Sequence, residues 1–185
     1  MRTRISLNIR PAPPRLRLLI DRLEGRPVRI RFLPALTVSR GKLLSNARYG
    51  EAVHAGSQLR KRIIVLDSAL RNNQGELVRI AIHELFHFAW LHLGNPRRAS
   101  YEALLLAEAE HGARGELGWS AEWRKQRCPA VGSRGWRDYI CESFCDTAAW
   151  FYSGLRRHDE FTLGARWRRG RAAWFEKHFP GPISI

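Results

Sequence analysis

The sequence predicts an α+β domain, and three observations carry that expectation. Short β-branched or alternating segments occupy the first third of the 185 residues, and segments of helical period occupy the rest. Hydrophobic residues make up 44%, enough for a packed core. No apolar run reaches the roughly 18 residues that a membrane-spanning helix requires.

Taken in order, residues 11–25 (PAPPRLRLLIDRLEG) read as a short helix stopped by Gly25. Residues 27–33 (PVRIRFL) alternate and read as a strand. The turn-rich stretch 34–58 reads as short strands or a hairpin. Residues 60–67 (RKRIIVLD) form the clearest strand. A helix then runs from Asn73, whose spacing to Glu76 fits a capping box, to the Gly94 and Pro96 stop signals. It is apolar nearly all round and is expected to be central. Further helices are expected over 100–112, 120–127, 138–154 (with Asp138 as N-cap and Gly154 as the stop) and 165–178. One domain is expected over 1–185. No secretory signal is apparent, so the expected location is the cytoplasm.

Charge and cysteine content narrow the chemistry. Net charge is +15, which invites a nucleic-acid partner. Yet 28 of the 32 basic residues are arginine, a skew that a GC-rich genome also produces, and they spread along the chain. The densest patch, 166–179 (RWRRGRAAWFEKHF), interleaves arginine with aromatics. It fits either a phosphate-tracking helix or a C-terminal helix that docks its aromatics, and the second is favoured. Cys128, Cys141 and Cys145 are too few for a disulfide framework and read as small core residues.

The informative stretch is 81–90, AIHELFHFAW. His83 and His87 lie four apart on a helix, so their rings are displaced by about 6 Å along the axis and turned by about 40°. Both reach one cation. Glu84 lies beside the first ligand, the arrangement H-E-x-x-H. A zinc ion so held lowers the pKa of a bound water toward ~7, and Glu84 takes its proton as the carbonyl is attacked. Chance gives about 0.02 such motifs for this composition. Burying these three groups without a ligand costs several kcal/mol unless each is hydrogen-bonded.

Zinc needs a third protein ligand. His92 is turned about 140° from His87 and faces elsewhere. Trp90 and Leu93 stand where the extended metzincin motif places Gly and His. Glu142 is the expected ligand, with Asp146 one turn later to accept the free N–H of a zinc histidine. His111 is the alternative ligand. Tyr139, His111 and His158 are candidates for stabilising an oxyanion.

The pair HELFH and a helical ExxxD resembles the gluzincin branch of zincin metallopeptidases, most closely the ImmA/IrrE family, across residues 60–155. The helix ESFCDTAA departs from that family's pattern at Cys145 and Ala148. The resemblance implies a small twisted sheet with an edge strand, ahead of a buried helix that carries the motif. It implies one catalytic zinc held by His83, His87 and Glu142, Glu84 as general base, Asp146 behind a ligand, and a protein or peptide substrate. The strand RIIVLDSAL looks like the edge strand on which such enzymes lay an extended substrate. A weaker likeness is to SprT-type proteases, where Trp119 replaces the expected histidine; it implies a protease or regulator that associates with DNA through the arginine-rich surface.

Overall fold

The computed structural model describes residues 12–127 and 130–185. Six helices and eight strands form an α+β architecture among the described residues. The expected helix over 11–25 is shorter: α1 spans Pro14–Ile20, and Pro11 lies outside the described residues. The chain then extends as β1 (Leu23–Glu24). The cause is long-range. Leu23 and Glu24 pair in parallel with Ile183 and Ser184, and Gly25 abuts the carbonyl of Ile185.

Three strands form the sheet that positions the site. They are β2 (Arg29–Leu33), β6 (Ala55–Gln58) and β7 (Ile63–Asp67), in the order β2-β7-β6. β2 and β7 are parallel; β6 runs antiparallel to β7. The strand expected at the edge, β7, is therefore central. Its run Ile63–Leu66 is buried, as a strand paired on both sides requires, and β2 and β6 are the edge strands, β6 being the one beside α2. The intervening β3 (Leu36–Ser39), β4 (Lys42–Ser45) and β5 (Glu51–Ala52) form a separate antiparallel sheet.

The central helix α2 (Gln74–His92) begins where the capping pattern placed it: the Asn73 side chain accepts from the Glu76 N–H at 3.2 Å. Such a cap contributes about 1 kcal/mol. Pro96 does not follow a loop; it sits in the first turn of α3 (Asn95–Glu110), where a missing N–H is harmless. α4 spans Trp119–Arg127. α5 spans Arg134–Ser153, a turn longer than expected, because Ser133 and not Asp138 caps it, accepting from the Trp136 N–H at 3.1 Å. Gly154 ends α5 in a left-handed conformation at φ 75°, the conformation that glycine adopts at least cost. α6 spans Ala165–His178, followed by β8 (Ile183–Ser184).

The core lies between α2, α5 and α6, where Phe86, Phe144 and Phe175 meet with ring centroids 5.2–6.1 Å apart. The arginine-rich patch is partly internal. Arg171 is fully buried, donating to Glu108 and Glu116, while Arg168 donates to the carbonyls of Phe161 and Leu163. No described helix is long and apolar enough to cross a membrane.

Candidate metal centre

Two helices build the site. α2 is largely apolar through its middle, and its polar residues at 83, 84 and 87 are held where α5 packs against it. His83 and Glu84 are buried, and His87 is nearly so. From α5, Glu142 brings one carboxylate oxygen to 3.3 Å from His83 Nε2 and 3.9 Å from His87 Nε2. The two Nε2 atoms are 3.2 Å apart. Donors around a tetrahedral zinc, each at about 2.0–2.1 Å, stand about 3.3–3.4 Å from one another. The three atoms thus fit one ion of that size. Glu84 reaches the same place: an oxygen of its carboxylate and a nitrogen of each histidine all lie within 4.8 Å of one another.

Each of these side chains is held from behind. His83 Nδ1–H donates to Asp146 at 2.7 Å, which leaves Nε2 as the ring nitrogen that faces Glu142. The other Asp146 oxygen accepts the Ala121 N–H at 2.9 Å, so one carboxylate serves both α2 and the first turn of α4. Gly118 lets the chain pass this close, because a Cβ there would sit 2.2–2.5 Å from the Asp146 carboxylate. The second Glu142 oxygen lies 3.2 Å from the Arg124 guanidinium of α4. Ser57, on the edge strand β6, donates to Glu84 at 2.5 Å.

The electrostatics follow from this packing. Burial pushes the His83 imidazolium down, but the carboxylates of Asp146 and Glu142 outweigh it and hold its pKa well above 6.5. Burial also pushes Glu142 up, yet the hydrogen bond and charge of His83, with His87 and Arg124, bring it down to about 2. The Nε2 proton of the charged His83 ring, facing Glu142, occupies the position that a cation would take.

The other sequence candidates lie elsewhere. His111 caps its own helix, facing the Ala107 carbonyl at 2.7 Å, and is exposed. His92 faces the Phe88 carbonyl. Tyr139 donates to buried Glu116 at 2.5 Å and so faces away from the site. His158 pairs with Glu76 at 3.0 Å. Cys128 lies outside the described residues. Cys141 and Cys145 are not mere filler, since both sulfurs face His87 Nδ1. Ser57, Gly118 and Arg124 carried no motif and are visible only once the elements pack.

Beside these groups opens a cleft of about 460 Å³, lined by His54, Ala55, Trp119 and Glu160 and, from the centre itself, by His83, Glu84 and Asp146. Comparison with protein-family models, with curated proteins and with solved structures finds no match for this chain.

Proposed function

We propose that the protein is a zincin-like metallopeptidase that hydrolyses a peptide bond of a protein or peptide substrate. The observation that carries this reading is the convergence of His83 Nε2, His87 Nε2 and a Glu142 oxygen, from two helices, to within 3.2–3.9 Å of each other. Their donor set, two imidazoles and a carboxylate, is one that zinc takes in hydrolytic sites that keep a position open.

When bound, zinc supplies Lewis acidity, polarising a carbonyl and acidifying water. The rest falls to the chain. Glu84 accepts a proton from the attacking water and delivers it to the departing amine. Ser57 orients the Glu84 carboxylate by donating to one oxygen, leaving the other for the proton. Asp146 keeps His83 Nδ1 protonated, and Arg124 holds the far oxygen of Glu142. Ser57 also ties this machinery to the edge strand, whose outer side has no strand partner among the described residues. The nucleic-acid alternative loses part of its densest patch, because Arg168 and Arg171 turn inward.

Elemental analysis and a quenched-peptide library test the reading together. The purified chain carries about one zinc equivalent and cleaves members of the library, and Glu84→Gln keeps the zinc while losing cleavage by at least about 10²-fold. A chain that folds without binding zinc, or a Glu84→Gln variant of full activity, refutes it.

A further inference from the structure

His87 has two ring nitrogens, and the proposed hydrolytic site uses only one. Its Nδ1 faces α5 on the opposite side of the ring. There Cys145 Sγ lies at 3.5 Å and Cys141 Sγ at 3.7 Å. The three donor atoms are all within 4.8 Å of one another. Cys141 and Cys145 stand one turn apart on α5, which is why both point at the same ring.

These distances are those of ligands around a shared soft cation. With metal–sulfur bonds of about 2.3 Å and metal–nitrogen bonds of about 2.0–2.1 Å, sulfur and nitrogen stand about 3.5–3.8 Å apart for angles between tetrahedral and trigonal. Cys145 is fully buried while Cys141 is partly exposed, so the group has a protein wall on one side and a route from solvent on the other.

We infer that Cys141, Cys145 and His87 Nδ1 form a second metal site, specific for a thiophilic cation of low coordination number, monovalent copper. Two thiolates and an imidazole match its preference for soft, three-coordinate surroundings. Binding releases the thiol protons. A neutral imidazole has a single in-plane lone pair, so His87 binds one ion or the other. Copper at Nδ1 therefore removes His87 from the Nε2 side and expels the ion held there. The thiol site stands on its own geometry; only this exclusivity rests on the zinc reading above.

The test uses the full chain with Cys128→Ser, so that Cys141 and Cys145 are its only thiols. Monovalent copper is delivered without oxygen from a chromophoric chelator to zinc-loaded protein. One equivalent binds with a thiolate-to-copper absorption band, both thiols become protected from alkylation, and one zinc is released. Cys141→Ser, a substitution at the partly exposed position, loses the band and the copper while keeping the zinc and the circular dichroism of the parent. A copper band in a chain that takes no zinc supports the thiol site and counts against the hydrolase reading alone. No band, a band that survives Cys141→Ser, or both thiols still reactive under saturating copper overturns the site. Copper and zinc bound together overturn the exclusivity.

Discussion

Replacing Asp146 with alanine removes two hydrogen bonds that have separable consequences. The first, from His83 Nδ1 at 2.7 Å, orients a proposed metal ligand. Loss of such a partner lowers metal affinity by about 10–100-fold, or about 1.4–2.7 kcal/mol. The second, from the Ala121 N–H at 2.9 Å, is buried, and leaving that donor unpaired costs about 1–3 kcal/mol. For a chain of this size each kcal/mol moves the melting temperature by about 2–4 °C, so Asp146→Ala melts about 2–12 °C lower even in chelator. Asp146→Asn separates the two effects. Its amide oxygen can still accept from Ala121 but no longer pairs with the His83 imidazolium, so melting in chelator recovers only in part below the raised His83 pKa, while zinc affinity stays reduced because the carboxylate behind His83 is gone. Competition against a chromophoric zinc chelator, alongside melting curves with and without chelator, reads both. Unchanged zinc affinity in Asp146→Ala refutes the argument that this carboxylate orients a metal ligand.

Glu142→Ala loses the zinc equivalent while His111→Ala keeps it, as elemental analysis of the two variants will show; the reverse result would exchange their roles. Zinc affinity rises with pH through neutrality. The His83 pKa is raised in the metal-free fold, so its stabilising charge is fully present below about 6.5 and is lost as pH climbs through the higher folded value; zinc needs the neutral ring. Calorimetry near pH 7 in buffers of different ionisation enthalpy therefore detects a proton released on binding, and a buffer-independent heat contradicts this. Arg171→Met strands Glu108 in the interior, leaves Glu116 with Lys125, and costs about 3–5 kcal/mol, measured as a lower urea midpoint at unchanged slope.

What was legible in the sequence was whatever depends on near neighbours. His83, Glu84 and His87 announce themselves by helical spacing, and Asn73 marks the helix start through a contact three residues away. Glu142 and Asp146 were legible as a pair because one turn of α5 presents them on one face, and the structure brings both to His83. Tertiary pairing was not legible. β7 has the composition of any buried strand, and only the return of β6 makes it central. Leu23 looks helical until the C-terminus reaches back to it. Cys141 and Cys145 read as small apolar filler because their partner, His87, is more than fifty residues away. Nothing near Arg171 in the chain marks it for the interior; two glutamates from separate segments enclose it.

Asp146 is shared between an imidazole and the start of α4, and α4 also sends Arg124 to Glu142. The α4 side of the cleft and the metal centre are in consequence linked through two carboxylates. Trp119, three-fifths exposed on that cleft, opens the same helix, so any shift of α4 reaches Asp146 and Glu142 together.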